Sequence, residues 1–194
     1  MATITVFESI TLDGVIQAPG RADEDTRGGF THGGWALPFQ DEVAMRFAGE
    51  GLSAGGALLF GHRTYDDLLG FWTTTPDPNP FTGVLVQSPK YVVSRGRDSS
   101  PELAYPNSTR LTGEAGDTVA ALKRDVDGAI TVLGSAELTR ALFAAGLVDE
   151  LVLLVHPLVL GSGTTLFEHA RVELELRRCV PTTTGVVIAE YSVR

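Results

Sequence analysis

Three short segments combine glycine, hydroxyl and basic side chains directly after apolar runs of the chain. They are Gly61-His62-Arg63-Thr64, Ser94-Arg95-Gly96-Arg97 and Gly134-Ser135-Ala136. The first and third precede helical patterns, and a helix N-terminus offers unpaired N–H groups and a positive dipole that suit phosphate. Arginine binds phosphate through forked, charge-assisted hydrogen bonds. Because ligands collect at the carboxyl ends of strands in open α/β sheets, the segments together predict a site for an extended anionic ligand with two phosphate regions.

Each segment also has an ordinary structural interpretation. Gly61 to Thr64 could be a capped helix start with a surface arginine, and Ser135 could be a plain N-cap. The segment after Val93 could be a solvated loop. No segment matches the G-x-G-x-x-G fingerprint of dinucleotide-binding folds, so the cofactor prediction rests on the three segments taken together.

Candidate substrate-side residues lie in the first third of the chain. Asp13 follows the first apolar run beside Gly14, where it could donate a proton or hold a substrate hydroxyl, although an Asx turn explains it equally well. Trp35 and Phe39 lie in a loop and could stack on a flat heterocycle, or could be peripheral core. His156 ends an apolar run before a proline and is expected to be structural.

The elements that position these residues alternate along the chain. Helical spacing of apolar residues and period-two alternation predict four helices and five strands, followed by an antiparallel pair. The predicted helices are Asp41–Glu50, Thr64–Leu69, Asp117–Asp127 (capped by Asp117 or Gly116) and Ala136–Ala145. The predicted strands are Thr3–Glu8, Ala57–Phe60, Lys90–Val93, Ala129–Leu133, Leu151–His156, Val172–Arg177 and Val186–Val193, with short additional strands at Leu103–Tyr105 and Thr109–Leu111.

The remaining segments are predicted loops. A polar, glycine-rich stretch runs from about residue 13 to 34, and a loop this long is usually functional. Phe71–Gly83 carries three prolines and is also predicted as loop. The alternation of strands and helices predicts an α/β fold, with a mostly parallel sheet covered on both faces and an antiparallel pair at its end. No linker or repeat interrupts residues 1–194, which predicts a single domain.

Composition narrows the function classes. The formal net charge is −9, which argues against a nucleic-acid partner because such a partner requires a basic face. No apolar run approaches the roughly 20 residues of a membrane span, and the N-terminus lacks the basic region of a signal peptide. The one cysteine, Cys179, can form neither an internal disulfide nor a thiolate metal site. We therefore expect a cytoplasmic protein with no membrane, nucleic-acid or metal partner.

Several motifs carry a resemblance to a known family over nearly the whole chain. They are Ser9 to Gly14, Gly61 to Tyr65, Val92 to Arg95, Leu133 to Leu138, Gly146 to Leu151, His156 to Gly163 and Leu166-Phe167. With these motifs the chain resembles the dihydrofolate-reductase-like superfamily and, within it, the RibD C-terminal reductase domain. The resemblance implies a three-layer α/β/α fold with a mostly parallel mixed sheet and an antiparallel C-terminal strand pair.

The resemblance also implies NADPH as cofactor, a small-molecule substrate and a homodimer. The cofactor residues that it indicates are Thr11, Ile16, Gly61, His62, Arg63, Thr64, Ser94, Arg95, Leu133, Gly134, Ser135, Ala136 and Glu137. The family reaction is hydride transfer from NADPH to a carbonyl or imine carbon; in riboflavin biosynthesis, the ribosyl group of an aminopyrimidine phosphate is opened and reduced. On the substrate side the candidates are Asp13, as the acid, with Trp35 and Phe39.

Three departures from the family pattern bear on the substrate. The zinc-deaminase signature of bifunctional riboflavin enzymes is absent from these residues, so no deaminase activity is expected. His62 and the Gly134-Ser135 pair stand where dihydrofolate reductase has an arginine and two glycines. A folate pocket also needs a carboxylate on the first helix, for which Asp41 and Glu42 are the candidates. A non-catalytic nucleotide-binding protein and a reductase of an unrelated small carbonyl compound therefore remain alternatives.

Overall fold

The computed structural model describes residues 1–53, 56–75, 80–94, 103–168 and 171–194. Its strands are β1 (Thr3–Thr11), β2 (Ala57–Gly61), β3 (Lys90–Ser94), β4 (Ser108–Thr112), β5 (Ala129–Leu133), β6 (Glu150–His156), β7 (Leu174–Pro181) and β8 (Val187–Val193). Its helices are α1 (Glu42–Ser53), α2 (His62–Thr74), α3 (Pro80–Gln87), α4 (Ala115–Asp125) and α5 (Ala136–Ala144), with short 3-10 turns at Arg27–Gly29 and Leu37–Phe39.

The eight strands form one sheet in the order β4-β3-β2-β5-β1-β6-β8-β7. The six strands from β4 to β6 are mutually parallel, whereas β8 pairs antiparallel with both β6 and β7. The α/β prediction, with a mostly parallel sheet and an antiparallel C-terminal pair, is confirmed. Because parallel strands run the same way, the carboxyl ends of β1, β2, β3, β5 and β6 all reach one edge of the sheet.

The helices cover both faces of this sheet. Successive strand residues point to opposite faces, so Leu59 packs with the cluster that contains α4 and α5, whereas Leu58 packs with α2 and α3. Helix α1 packs on the same side as α2 and α3, against Leu154 and Ile188. The apolar runs of the inner strands are thus explained by burial on both sides. No helix within the described ranges has the length and apolar character that crossing a membrane requires.

Several element predictions need correction. Phe71–Gly83 is not a loop throughout, because α2 continues to Thr74 and α3 starts at Pro80, where a proline fits the first turn of a helix. Residues 76–79, which include the other two prolines, lie outside the described residues. The predicted strand Leu103–Tyr105 is wrong; the backbone N–H of Tyr105 instead donates to the Tyr65 hydroxyl at 3.0 Å.

The predicted start of α4 at Asp117 is also wrong, because the helix begins at Ala115. Its N-cap is Glu114, and Asp117 lies within the first turn rather than at the cap. Both residues are acidic and near the positive end of the helix dipole, which is why the pattern did not separate them.

A buried lysine fastens α3 to the sheet. Lys90 has no exposed surface, and its ammonium group donates to the carbonyl oxygens of Leu85, Val86 and Ser88 at 2.8 to 3.1 Å. These carbonyls belong to or follow the last turn of α3, where no intrahelical partner exists. Lys90 is therefore a side-chain cap that joins β3 to the C-terminal end of α3.

We predict that Lys90→Met lowers the free energy of unfolding by roughly 2–3 kcal/mol, because the buried carbonyls lose a charged donor. Urea unfolding measures the change, with the exposed Arg124→Met as matched control. Equal midpoints for the two variants would contradict the capping role.

Candidate cofactor and substrate site

Two helices begin side by side at the carboxyl edge of the sheet. Gly61 is the N-cap of α2 and Ser135 is the N-cap of α5. Their strands β2 and β5 are parallel neighbours, so both helix N-termini emerge at the same place. The free N–H groups and positive dipole ends of two helices are therefore concentrated in one region, which favours an anionic ligand.

The two turns that start these helices contact each other. A Cβ atom on Gly61 would lie 2.6 Å from Ser135 Oγ, and one on Gly134 would lie 2.7 Å from Thr64 Cγ2. Gly134 also has φ +66°, a left-handed conformation that glycine adopts without cost. Ser135 follows with φ +74°, so a non-glycine residue is held in the same unfavourable region. The glycines are required by this close approach.

We predict that Gly134→Ala destabilises the protein more than Gly146→Ala. Gly146 has nearly the same φ, +64°, but no atom lies within 4 Å of a Cβ placed there. Gly146→Ala should therefore show only the strain of a left-handed residue, about 1–2 kcal/mol, and Gly134→Ala that strain plus a clash. Thermal unfolding of the two variants compares them directly; similar losses would show that the turns do not need their contact.

The other residues predicted near the phosphates lie around these turns. His62 directs its Nδ1 to Asp66 Oδ2 at 3.5 Å, along its own helix, and Arg63 is exposed. The Ser135 hydroxyl accepts from the Leu138 N–H at 3.4 Å, so its capping role is present in the structure. The remaining predicted residues are Thr64, beside Gly134, Leu133, buried at the end of β5, and Ala136 and Glu137, in the first turn of α5. The predicted cofactor residues of β2 and β5 thus meet in one place, and their ligand stays a prediction.

The end of β3 lies two strands from β5, and beside it on β4 lies Arg110, which the sequence analysis did not single out. Ser94 is buried, and its hydroxyl accepts from Arg110 Nη1 at 3.3 Å. Arg110 belongs to β4, and its Nε is buried with no hydrogen-bond partner among the described residues. A buried donor without a partner is rare, so it marks a position where a ligand acceptor would fit. The predicted Arg95 lies outside the described residues.

Asp13 lies just after the end of β1, and its hydrogen bonds give it a structural role. Its carboxylate accepts from the Thr11 hydroxyl at 2.6 Å, from the Leu160 N–H at 3.1 Å and from the Gly161 N–H at 2.7 Å. The Thr11 hydrogen bond, followed by that of the Gly161 N–H, lowers the pKa of Asp13. An ionised and fully bonded carboxylate is suited to holding two loops together. The catalytic role of Asp13 stays a prediction, and this geometry does not favour it.

The glycine-rich stretch after β1 is held in place by side-chain hydrogen bonds. The Gln17 side chain accepts from the Thr164 N–H at 2.9 Å and donates to the carbonyls of Asp25 and Arg27. Arg21 pairs with Asp67 of α2 at 2.6 Å. The predicted cofactor residue Ile16 is buried in the same region, and its N–H donates to Thr164 at 3.0 Å. The stretch is therefore an ordered loop that packs against α2.

A cavity of about 250 Å³ opens on the face of the sheet that carries α1. Its wall combines a few polar groups with a mostly apolar surface, as small-molecule sites do. The lining residues are Ser9, Pro19, Gly20, Ala36, Leu37, Phe39, Gln40, Asp41, Ala44, Met45, Ala48, Leu154, His156 and Val186. This cavity is the candidate substrate site.

Aromatic rings gather at one wall of the cavity. Trp35 and Phe39 both meet the His156 ring edge to face, with centroids 5.1 and 5.7 Å apart. Phe39 lines the cavity, whereas Trp35 is buried in a peripheral cluster with its Nε1 donating to the Gln17 carbonyl at 2.7 Å. Burial lowers the pKa of His156, so its ring is neutral near pH 7. Of the two predicted stacking residues, only Phe39 borders the cavity.

The two acidic candidates on the first helix have different positions. Asp41 precedes α1, and its Oδ1 accepts from the Val43 and Ala44 N–H groups. Its Oδ2 accepts from the backbone N–H and hydroxyl of Thr183, and the hydroxyl bond is the main cause of its lowered pKa. Asp41 is thus an N-cap that also ties α1 to the β7–β8 turn, with little capacity left for a substrate. Glu42 is the first residue of α1 itself.

Glu8 is the buried carboxyl of the site that sequence analysis missed. It lies on β1 with 7 % of its surface exposed, and its Oε1 has no hydrogen-bond partner among the described residues. Burial, and then the charge of Glu24, raise the pKa of Glu8 to about 8, while the Gly134 N–H opposes the shift. The carboxyl is therefore mostly protonated at neutral pH. Its position in a strand full of β-branched residues gave no signal of this.

We predict that Glu8→Gln stabilises the protein increasingly as pH rises from about 5 to 8. In this window the unfolded chain releases the Glu8 proton and the folded chain keeps it, so wild-type stability falls with pH. Above pH 8 both states are ionised and the difference stops growing. The shift from 4.5 to about 8 corresponds to a gain of roughly 4–5 kcal/mol, and melting temperatures of both proteins measured at several pH values test it. A constant difference across the window would refute the shifted pKa.

No cluster of three or more histidine, cysteine, aspartate or glutamate side chains that could bind a metal ion occurs in the described part of the chain. The groups described at the site are the helix N-termini, Arg110 and the carboxyl groups.

This sheet, mostly parallel with an antiparallel C-terminal pair and helices on both faces, has the dihydrofolate-reductase-like fold. The RibD C-terminal domain matches residues 2–188, and the chain belongs to that family.

The similar proteins agree with this assignment. An uncharacterized protein, YyaP, of Bacillus subtilis (strain 168) is 30 % identical over 190 residues, which cover 94 % of this chain and 90 % of that protein. A putative riboflavin biosynthesis protein from Shewanella sp. PV-4 has a similar structure, with TM-score 0.66, 20 % identity, and coverage of 100 % and 99 % of the two chains. Dihydrofolate reductase from Enterococcus faecalis, complexed with NADP(H) and RAB-propyl, gives TM-score 0.62, 16 % identity and coverage of 99 % and 96 %.

Proposed function

We propose that this protein is an NADPH-dependent reductase of a small heterocyclic or carbonyl compound. The observation that carries the proposal is the contact between the α2 and α5 turns, which concentrates two helix N-termini at the sheet edge beside a cavity. Family membership supports the reaction type. When bound, the cofactor would supply the hydride for a carbonyl or imine carbon.

The donor chemistry of the site fits a phosphorylated dinucleotide. The N–H groups at the starts of α2 and α5 suit the pyrophosphate, and the glycines allow the backbone to approach it closely. Arg110 lies beside Ser94, and its buried Nε has no hydrogen-bond partner among the described residues, which suits a further phosphate such as the 2′-phosphate of NADPH. We propose that Arg95 adds to this second group.

The cavity on the α1 face supports a flat, uncharged substrate. Phe39 offers a ring for stacking, and Ser9 offers a hydroxyl group for hydrogen bonding. The ionised Asp41 is already fully used by its own chain. A pyrimidine- or pterin-like ring, as in the riboflavin branch of the family, fits this wall.

The cavity lining also bears on whether the substrate carries a phosphate group. None of the described residues that line the cavity is a lysine or arginine, and a phosphate monoester normally needs such a partner. This favours an uncharged heterocycle or a small carbonyl compound over the phosphorylated intermediate of riboflavin synthesis. NADPH consumption with phosphorylated and dephosphorylated aminopyrimidine substrates distinguishes the two.

The family also suggests a compartment and an oligomeric state for the protein. We propose a cytoplasmic homodimer, by analogy with the family. Size-exclusion chromatography that gives a monomer would refute the dimer.

We predict that the protein binds NADPH at least tenfold more tightly than NADH, and that Arg110→Ala and Arg95→Ala each reduce this preference. Removing a charged hydrogen bond to phosphate should weaken NADPH binding about tenfold, while NADH binding changes little. Fluorescence titration measures the dissociation constants of both nucleotides for the wild type and each variant, and the exposed Arg124→Ala serves as matched control.

If neither nucleotide binds the wild-type protein, the reductase proposal fails. If NADPH and NADH bind equally and the variants change nothing, the 2′-phosphate assignment fails while the reductase proposal stands.

A further inference from the structure

The carboxyl group of Glu8 is buried, and one of its two oxygens has no hydrogen-bond partner among the described residues. Only 7 % of the residue is exposed, and Oε1 makes no hydrogen bond to the described residues. Buried polar atoms are nearly always bonded, because an unbonded one loses the hydration it had in water. Such an atom in a native fold calls for an explanation, and a ligand is one.

Glu8 lies at the point where β1 and β5 stop pairing. The last pair between β1 and β5 is Phe7↔Leu133, after which β5 ends and the chain turns at Gly134. Strand β1 continues along β6 as far as Thr11↔His156. Glu8 is therefore the first residue of β1 beyond its pairing with β5, next to the turn that starts α5. Within the described part of the chain, a second buried oxygen without a hydrogen-bond partner, Thr139 Oγ1, belongs to α5 itself.

Glu8 and the cavity lie on opposite faces of the sheet. Adjacent strand residues point to opposite sides of the sheet, and Ser9 lines the cavity on the α1 side. Glu8 thus points to the side of α5 and the Gly134 turn, whose N–H interacts with it. Helix α5 is one of the two helices whose N-termini form the proposed cofactor site, so Glu8 is placed beside the cofactor site rather than in the cavity.

We propose that Glu8 is a positioning residue for the cofactor, whose carboxylic acid hydrogen-bonds the carboxamide group of the nicotinamide half. A neutral carboxyl group presents one donor and one acceptor, and a primary carboxamide presents the complementary pair. A carboxylate only accepts, so ionisation removes half of this match. The inference rests on the proposed function and adds to it the residue that recognises the reactive half of the cofactor.

The surroundings of Glu8 keep its proton in place. Burial and the facing charge of Glu24, which lies in the loop after β1, raise the pKa to about 8, and Gly134 contributes a backbone N–H rather than a charge. Glu24 is itself partly desolvated, and this burial raises its pKa. Glu24→Gln should therefore lower the pKa of Glu8 and move any pH-dependent binding to lower pH.

The test is the dissociation constant of NADPH, measured by fluorescence titration from pH 6 to pH 9.5 for wild type, Glu8→Gln and Glu8→Leu. Because the protonated form binds more tightly than the ionised form, wild-type affinity should weaken several-fold, and at most about tenfold, between pH 7 and pH 9. Glu8→Gln keeps a donor and an acceptor at every pH, so its affinity should not show this loss. Glu8→Leu should bind NADPH about tenfold more weakly than wild type at pH 7.

The adenosine half of the cofactor supplies the control. The compound 2′,5′-ADP lacks the nicotinamide, so all three proteins should bind it alike if their site is intact. Wild type that binds NADPH with the same pH profile as Glu8→Gln would overturn the role of Glu8 and leave the reductase proposal standing. Wild type that binds neither NADPH nor 2′,5′-ADP would overturn the proposed function itself.

Discussion

The contact between the Gly61 and Gly134 turns is the constraint on which the site depends. It sets the distance between β2 and β5 at their carboxyl ends and fixes where α2 and α5 begin. No side chain larger than hydrogen fits at either glycine without moving Ser135 or Thr64. The two helix dipoles are consequently brought together by backbone packing, and their combined positive potential persists although the protein as a whole is acidic.

Hydrogen bonds from distant parts of the chain hold the rest of the site around this contact. Asp13 bonds the backbone at Leu160 and Gly161, and Gln17 bonds the backbone at Thr164. Carboxylates that bond backbone N–H groups in this way stay ionised and rigid. Glu8 is the exception: burial raises its pKa to about 8, and its Oε1 has no hydrogen-bond partner among the described residues.

The sequence predicted the regular parts of this structure well. The five parallel-strand predictions near the site and the helix Ala136–Ala145 match because burial on both faces and helical spacing leave clear patterns. Helix α3 was missed because prolines in its neighbourhood outweighed a short apolar run. The backbone partners of Asp13, Leu160 and Gly161, lie 147 and 148 residues away, so no local pattern could reveal them.

Side-chain environment was the part that the sequence could not supply. Arg110 sits in a short edge strand, and only the register of β3 and β4 shows that it reaches Ser94. Glu8 differs from other strand acids through its burial alone. Trp35 and Phe39 are four residues apart, yet only the latter borders the cavity, because Trp35 turns into a separate cluster.

The position of β1 has a consequence for how the chain is made. This strand is translated first but lies between β5 and β6, which begin more than 120 residues later. Until β5 leaves the ribosome, both edges of β1 lack their native partners, and the apolar residues of an open strand edge invite pairing with other chains. The high sequence separation of these contacts also makes the closing step slow. The nascent N-terminal half therefore depends on rapid synthesis, or on chaperones, to stay unaggregated until the centre of the sheet is complete.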